Sequence, residues 1–202
     1  MIISKEHKFI YFKSCKTAGT SIEVFLSAYC GKQDIITRIG EPTADWHNAQ
    51  HCGIFRNHFT AGEIKGIIGD KQFNSYYKFT SIRNPLDKML SLYHWWLSKK
   101  TISANRDFNQ WVRSCSFSQW RPIFHYPFYK IGGEIVTDRF IRYESLKDDL
   151  KSLCEHFSFE YNDKYLLHYK KRERKDIVIT EETKDILRRQ FKKELIDLNY
   201  EI

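Results

Sequence analysis

Apolar and polar positions in this chain follow the same order twice: a short run rich in apolar, aromatic or β-branched residues, a loop, and then apolar residues at helical spacing. The first run is Phe9–Phe12 and the second is Tyr77–Ile82. Runs of this length predict strands, and an unbroken apolar run such as the first predicts a strand buried on both faces. The helical spacing begins at Thr20 in the first case and at the cap-and-proline pair Asn84 and Pro85 in the second. Each stretch therefore predicts strand, loop and helix.

Other helix and strand signals extend this alternation. Thr60–Glu63 has the signature of a capping box before a short helix that Gly69 is placed to end. A third strand is predicted over Arg139–Tyr143, and Ser145 is placed to cap the helix after it. Thr180 begins a final helix with three apolar residues on one face: Leu187, Phe191 and Leu195.

Strands that alternate with helices predict an α/β fold in which a central parallel sheet is flanked by helices. We expect a single domain over residues 1–202, because no repeat and no Gly/Ser/Pro linker interrupts the chain. The pattern weakens over about 98–133, which we interpret as an insertion or lid. Ligands of such sheets bind beyond the carboxyl ends of the strands, so the loops after Phe12 and Ile82 are the expected sites of chemistry.

The composition limits the classes of protein and of partner. Apolar residues make up 42% of the chain and aromatic residues 16%, which excludes disordered, collagen-like and low-complexity proteins. The net charge of +8, from 33 Lys+Arg against 25 Asp+Glu, favours an anionic partner. No apolar run is long enough to span a bilayer, no secretion signal is evident, and the five cysteines show no close pairing. We therefore expect a cytoplasmic protein with reduced thiols.

The first loop, residues 13–21, has the composition of an anion-binding site. A strand-to-helix loop presents unpaired backbone N–H groups and the positive end of the helix dipole. Gly19 allows the backbone to approach a ligand closely, and Lys16 adds a full charge. Three hydroxyls add donors that can follow the oxygens of a phosphate or sulfate group: Thr17, Thr20 and Ser21. The alternative interpretation is an ordinary capped helix start with a solvated lysine.

The second loop places Arg83 at the end of its strand and Ser91 about two turns into the following helix. Both side chains can reach a further anionic group, although an arginine at such a position is often a structural ion-pair partner. The first loop lacks the P-loop pattern, since its lysine precedes its glycine. A magnesium-dependent ATPase or GTPase is therefore disfavoured.

Taken together, the two loops resemble the motifs of the type-2 sulfotransferases, which include carbohydrate sulfotransferases and use 3′-phosphoadenosine 5′-phosphosulfate (PAPS). The stretch Lys16–Ser21 is similar to the family motif that contacts the 5′-phosphosulfate, and Arg83–Ser91 is similar to the motif that contacts the 3′-phosphate. Three further segments resemble family segments: His58–Ala61, Arg142–Leu146 and Thr180–Tyr200. Residues 98–133 match no part of the family pattern.

This resemblance implies a fold, a reaction and a set of ligand contacts. The implied fold is a P-loop-NTPase-like three-layer sandwich. The implied reaction moves the sulfuryl group of PAPS to an acceptor hydroxyl on a carbohydrate, with 3′-phosphoadenosine 5′-phosphate (PAP) as the product. Arg172 and Arg174, in a basic run that is otherwise a solvated face, are implied to touch the 3′-phosphate. The other implied donor contacts are Cys15, Lys16, Thr17, Ala18, Gly19, Thr20, Ser21, Arg83 and Ser91.

Two positions depart from the family pattern. Cys15 stands where the family usually has proline, and Lys88 stands where arginine is commoner. Cysteine restores an N–H donor that proline lacks, which is compatible with anion binding. It also places a thiol beside the donor site, so redox sensitivity has to be considered.

Sulfuryl transfer is an in-line displacement in which negative charge grows on the leaving phosphate oxygen and the attacking hydroxyl loses a proton. Lys16 is the candidate for neutralising the leaving group, and His58 is the candidate general base. His51 is the second candidate base. No metal is needed, because a sulfuryl group carries less charge than a phosphoryl group. His47, His51 and Cys52 are a candidate metal cluster that lacks an evident fourth ligand.

Two other functions fit parts of the sequence. A nucleic-acid-binding protein accounts for the basic charge and the aromatic residues, but not for the two strand-end loops. A nucleotide kinase accounts for an anion-binding loop, but the P-loop order of glycine and lysine is missing. Four aromatic residues either stack on sugar rings or pack in the core: Trp111, Trp120, Tyr126 and Tyr129.

Overall fold

The structure is a computed structural model that describes residues 1–37, 49–103, 105–120, 123–166 and 177–202. The chain forms two compact units, each built from two stretches of sequence: Met1–Ile82 with Tyr126–Lys170, and Arg83–His125 with Lys171–Ile202. In chain order the strands and helices are β1 (Ile2–Ser4), β2 (Phe9–Phe12), α1 (Gly19–Ser27), β3 (Ile35–Ile36), α2 (Ala61–Ile68), α3 (Asp70–Ser75), β4 (Tyr77–Ile82), α4 (Pro85–Ser98), α5 (Phe108–Ser114), α6 (Phe117–Trp120), α7 (Tyr126–Tyr129), β5 (Lys130–Ile131), β6 (Glu134–Ile135), β7 (Arg139–Arg142), α8 (Leu146–Phe157), α9 (Glu181–Gln190) and α10 (Lys192–Leu198).

The first unit is built around a sheet with the strand order β3-β1-β2-β4-β7. β2, β4 and β7 are parallel, with Phe12 opposite Thr80, whereas β1 runs antiparallel to both β2 and β3. The central sheet is therefore mixed, and the expectation of a parallel sheet holds only for the three strands seen in the sequence. β1 escaped prediction because it has three residues and the charged turn Lys5–Lys8 joins it to β2.

Helices cover both faces of this sheet. Phe9 and Tyr11 of β2 pack in one core with residues of α1 and α8, whereas Ile10 and Phe12 pack in a second core with residues of α2 and α3. All four side chains are fully buried. Successive residues thus alternate between two cores, which confirms the prediction of a strand buried on both faces.

Two predicted helix starts are also confirmed. Thr60 and Glu63 form a capping box, in which the Thr60 N–H donates to Glu63 Oε2 at 2.8 Å and the Glu63 N–H donates to Thr60 Oγ1 at 3.2 Å. Asn84 Oδ1 accepts from the Leu86 N–H at 2.9 Å, and Pro85 is the first residue of α4. The predicted cap of α8 is wrong. Ser145 directly precedes this helix, but its side chain makes no capping hydrogen bond.

The second unit is helical and has its own core. Residues of α4, α5 and α9 pack around buried aromatic side chains: Tyr93, Phe108, Trp111, Trp120 and Phe191. The single final helix that we predicted is wrong, because it is interrupted at Phe191, where α9 ends and α10 begins. In neither unit is any helix within the described ranges long and apolar enough to cross a membrane.

The aromatic residues considered for sugar stacking differ in exposure. Trp111, Trp120 and Tyr129 are at most 3% exposed, so they are core residues, whereas Tyr126 is 41% exposed. The core interpretation therefore holds for the three buried residues. Tyr126 is the member of the group whose surface a sugar ring can contact.

Candidate anion-binding and catalytic site

The loop that follows β2 has an uncommon backbone conformation. Lys16 and Ala18 are both left-handed, each with φ of 61°, and Thr17 between them is not. Alternation of right-handed and left-handed residues turns neighbouring N–H groups toward one concave side, which is an arrangement that binds anions. The left-handed conformation is costly for residues other than glycine, so the surrounding structure must hold the loop in this shape.

The helix that follows this loop begins without a side-chain cap. Ala18 precedes α1 and makes no capping hydrogen bond, and the first turn carries no acidic residue. The N–H groups of a first helical turn have no partner within the helix and carry the positive end of its dipole. α2 and α4 differ, because Thr60 and Asn84 cap them. The arrangement fits an anionic ligand and not the capped helix start that the sequence left as an alternative.

Gly19 is required by packing inside the protein. A Cβ atom at this position would lie 2.8 Å from Lys13 Cγ and 3.2 Å from the backbone oxygen of Ser14. The sequence suggested that glycine allows a ligand to approach the backbone. The structure adds that the start of α1 packs too closely against the start of its own loop for any larger residue.

The three hydroxyl side chains of the loop have different surroundings. Thr17 is fully buried, and its Oγ1 lies 2.7 Å from Ser81 Oγ on β4. Ser21 is 4% exposed, and Thr20 is half-buried. The Thr17 hydroxyl points into the protein. The contact that we predicted between Thr17 and the sulfuryl donor would therefore be made by its backbone N–H.

His58 lies against the start of the same loop. Its Nδ1 is 2.8 Å from the backbone oxygen of Lys13. A carbonyl oxygen only accepts hydrogen bonds, so Nδ1 carries the ring proton and Nε2 carries the lone pair. The backbone of His58 is itself left-handed, with φ of 64°. The residue predicted to be the base is therefore held in the tautomer that can accept a proton at Nε2.

The surroundings of His58 also keep its ring neutral. Burial lowers the pKa of His58 to about 4, against the opposing effect of the hydrogen bond to Lys13, whose ammonium group adds a smaller decrease. Counted over all its atoms His58 is exposed, whereas the hydrogen bond of its ring to Lys13 is partly buried. The direction of the shift is the useful feature: an imidazole with a pKa below its ordinary value is neutral at neutral pH.

A buried ion pair lies behind the loop. Lys13 Nζ donates to Glu23 Oε2 on α1, and these side chains are 4% and 0% exposed. Glu23 Oε1 accepts from the Thr37 hydroxyl at 3.0 Å and from the amino group of Met1. Buried charges are tolerated only when paired, so this pairing fixes the Lys13 side chain next to the carbonyl that binds His58. Sequence reasoning missed the pair, because lysine and glutamate are usually exposed.

The other candidates from the first half of the chain are placed as follows. Cys15 is half-buried, and its Sγ lies 3.5 Å from His58 Nδ1. His51 Nε2 lies 2.8 Å from the backbone oxygen of Lys32, so the His51 ring is hydrogen-bonded to the segment that follows α1. His47 lies outside the described residues. Among the residues that are described, no group of three or more His, Cys, Asp or Glu side chains is placed to hold a metal ion.

The loop that follows β4 belongs to the second unit and is described by itself. Arg83 is 3% exposed, and its Nη2 lies 3.3 Å from Asp87 Oδ2, one turn along α4. His125 Nε2 lies 3.3 Å from the backbone N and 3.2 Å from the backbone O of Arg83. Burial lowers the pKa of His125, so this ring is neutral as well. Arg83 is therefore held through both its side chain and its backbone.

Three further predictions concern the same unit. Ser91 is half-buried on α4. Lys88, which stands where the family more often has arginine, is fully buried. Its Nζ donates to the backbone oxygen of Ile123, which satisfies the buried ammonium group. Arg172 and Arg174 lie outside the described residues, and their contact with a 3′-phosphate stays a prediction.

Comparison with known proteins identifies the class of the molecule. The chain matches the family model of the Sulfotransferase family over residues 1–201. It belongs to this family, which confirms the type-2 resemblance, and it is a transferase of sulfuryl groups. Searches of curated proteins and of solved structures gave no match.

Proposed function

We propose that this sulfotransferase takes the sulfuryl group from PAPS and transfers it to a hydroxyl group of a carbohydrate. One observation carries the proposal: within one unit, a left-handed loop leads into a helix without a side-chain cap, and a neutral imidazole is bonded to the first residue of that loop. The loop provides donors for a sulfate or phosphate group. The imidazole provides an acceptor for the proton of a hydroxyl.

The donor contacts follow from this arrangement and from the family resemblance. We assign the 5′-phosphosulfate to the amides of residues 16–21 and to the Lys16 ammonium. Arg83 and Ser91 are assigned to the 3′-phosphate, with Arg172 and Arg174 contributing from the basic run. The P-loop-NTPase-like sandwich implied by the family is part of the same proposal.

The proposed reaction is a single displacement at sulfur. The acceptor oxygen forms a bond to sulfur, the bond from sulfur to the 5′-phosphate oxygen breaks, and PAP leaves with that electron pair. His58 Nε2 takes the proton of the acceptor hydroxyl, while the proton on Nδ1 stays there, hydrogen-bonded to the Lys13 carbonyl oxygen. Lys16 and the loop amides stabilise the negative charge that appears on the leaving oxygen.

The acceptor is the part of the proposal that depends most on the resemblance. Tyr126, as the exposed member of the aromatic group, is our candidate for stacking on a sugar ring. Membership of the sulfotransferase family does not favour the nucleic-acid-binding and nucleotide-kinase alternatives. The cytoplasmic location expected from the sequence stays a prediction.

Thermal unfolding with three ligands tests the proposed donor. PAP should raise the unfolding temperature, with about 2.7 kcal/mol of stabilisation at a concentration 100 times its Kd. Single-stranded oligonucleotides and ATP with Mg²⁺ should give little shift. A protein that responds to oligonucleotides or to ATP with Mg²⁺, and not to PAP, would overturn the proposal.

Transfer of label from sulfur-labelled PAPS tests the proposed acceptor. A panel of saccharides should be compared with non-saccharide alcohols and phenols of similar size. Incorporation into saccharides supports a carbohydrate acceptor. Incorporation into phenols alone would retain the PAPS reaction and contradict the acceptor class.

A further inference from the structure

Four hydroxyl groups form a continuous buried chain between the sheet and the loop that follows β2. Tyr11 lies on β2, Ser81 lies on β4, and Ser14 and Thr17 lie on the loop; each is at most 1% exposed. The oxygen-to-oxygen distances are 3.0 Å from Tyr11 to Ser81, 2.7 Å from Ser81 to Thr17 and 3.0 Å from Thr17 to Ser14. The Ser14 hydroxyl donates to the backbone oxygen of Ser81 at 2.5 Å.

The acceptors around these four hydroxyls favour one direction for their protons, from Tyr11 toward Ser14. The Ser14 hydroxyl spends its proton on a carbonyl, which cannot donate, so Ser14 accepts from Thr17. The Thr17 hydroxyl has a second acceptor on the same residue, the Ser14 backbone oxygen at 3.2 Å, so in either case its proton goes to Ser14. Ser81 then donates to Thr17, and Tyr11 donates to Ser81. Burial raises the pKa of Tyr11, so the phenol that begins the chain keeps its proton.

The chain of hydroxyl groups meets the loop at Thr17, where the loop backbone has its least common conformation. Thr17 lies between Lys16 and Ala18, the two left-handed residues whose conformation shapes the concave anion site. Ser81 holds the Thr17 hydroxyl from the neighbouring strand, and Ser14 is bonded back to the same Ser81. Buried polar groups favour arrangements in which each hydroxyl keeps a partner, so these contacts restrict the position of the Thr17 side chain.

We propose that Ser81 is a positioning residue for the sulfuryl donor, acting through the Thr17 hydroxyl on the loop that binds the 5′-phosphosulfate. This inference rests on the proposed use of PAPS. It assigns a role to a residue that lies two positions before the second family motif and that is not among the predicted contacts of the sulfuryl donor. It predicts that the loss of this hydroxyl weakens binding of the 5′ end of the nucleotide selectively.

The test compares two nucleotides by titration calorimetry: PAP, which carries both phosphates, and adenosine 3′-phosphate, which lacks the 5′-phosphate. Ser81→Ala should weaken PAP binding about tenfold and change the affinity for adenosine 3′-phosphate less than twofold. A general destabilisation of the protein would weaken the binding of both nucleotides. Equal losses of affinity for PAP and adenosine 3′-phosphate would therefore overturn the inference.

Thr17 supplies a matched pair that does not depend on the stability of the Ser81 variant. Thr17→Ser keeps the hydroxyl and should retain PAP affinity, whereas Thr17→Val keeps the shape and should lose about tenfold. The double variant Ser81→Ala with Thr17→Val should lose about tenfold rather than a hundredfold, because both changes remove the same hydrogen bond. Equal PAP affinities of Thr17→Ser and Thr17→Val overturn the inference even if Ser81→Ala fails to fold.

Tyr11→Phe is the control at the start of the chain. It removes a donor to Ser81 but leaves the Ser81, Thr17 and Ser14 hydroxyls with their own acceptors, so PAP affinity should change less than twofold. A loss as large as that of Ser81→Ala would overturn the direction of the chain. If the unaltered protein fails to bind PAP, the proposed function fails; if it binds PAP and Ser81→Ala binds equally well, only the role of Ser81 fails.

Discussion

The loops after β2 and after β4 both join a buried strand to a helix, yet they are built differently. The first leads into α1 through two left-handed residues, and no side chain caps the helix. The second leads into α4 through an asparagine cap and a proline, and its arginine is paired with Asp87. The first loop thus offers backbone donors and the ammonium group of Lys16, whereas the second offers a guanidinium that is paired with a carboxylate.

This difference shows which changes each loop should tolerate. A site made of backbone N–H groups depends on conformation, so it is sensitive to buried neighbours such as Lys13 and Ser81 and to the size of Gly19. A site made of a held side chain depends on that side chain and on the groups that hold it, which for Arg83 include Asp87 and His125. The four predictions below concern the first loop and His58, which is bonded to it, from the largest expected effect to the smallest. The last measurement compares the two loops.

Replacing the proposed base should have the largest effect. His58→Asn should lower turnover by about 100- to 10,000-fold with PAP affinity nearly unchanged. Asparagine tolerates the φ of 64° found here and retains an N–H donor for the Lys13 carbonyl, but it cannot accept a proton. Steady-state kinetics and calorimetry measure the two quantities. His51→Asn is the matched control, since His51 is also left-handed, with φ of 48°; a larger loss of turnover in that variant would make His51 the base.

Removing the charge of Lys16 should have the next largest effect. Lys16→Ala and Lys16→Gly should both lower turnover by at least about 100-fold, because the charge that this ammonium opposes is greatest in the transition state. Glycine adopts the φ of 61° at this position without strain, so it separates charge from conformation. Lys16→Gly with near-normal turnover would show that the loop shape matters and the charge does not.

The decline of kcat/KM at acidic pH should lie at a lower pH than an ordinary histidine base would give. A general base acts while neutral, and the pKa of His58 is lowered to about 4, so kcat/KM should hold as the pH falls through 6.5 and decline only near that lower value. An imidazole of ordinary pKa would be about nine-tenths protonated at pH 5.5, which would reduce kcat/KM about tenfold there. Rates measured between pH 5 and 8, with folding followed by circular dichroism, distinguish the two curves.

Adding one methyl group to the loop should have a smaller effect, on stability. Gly19→Ala should cost about 1–3 kcal/mol of unfolding free energy, because its Cβ meets Lys13 and Ser14 at 2.8 and 3.2 Å. Gly66→Ala, in the interior of α2 with nothing within 4 Å of its Cβ, should instead stabilise by about 0.5–1 kcal/mol. Urea denaturation of both variants measures the difference; equal effects would contradict the close packing assigned to Gly19.

The elements that the sequence predicted well are those with a strong local signal. β2 is an unbroken apolar run, and α2 and α4 carry capping residues whose hydrogen bonds are found in the structure. β1 and β3 have three and two residues and no periodicity of their own, so their antiparallel pairing depends on contacts distant in sequence. The helical spacing put Phe191 correctly on an apolar face, where it is buried in the helical core, but it carried no signal of the interruption at that residue.

The candidate site divides in the same way. The loop and its lysine were proposed from the strand and helix signals around them, and His58 from its place in a segment that resembles the family. The buried groups that support them were not found: Lys13 and Glu23 carry charges that are usually exposed, and the direction of the Thr17 hydroxyl is set by Ser81, 64 residues away.

The most direct test of the account compares PAP with AMP on the unaltered protein by titration calorimetry. AMP carries the 5′-phosphate that we assign to the loop after β2, and PAP adds the 3′-phosphate that we assign to Arg83 and Ser91. PAP should bind more tightly by about 1.5–3 kcal/mol, which is roughly 10- to 150-fold in Kd. Equal affinities for PAP and AMP would contradict the assignment of the two loops to the two ends of one donor.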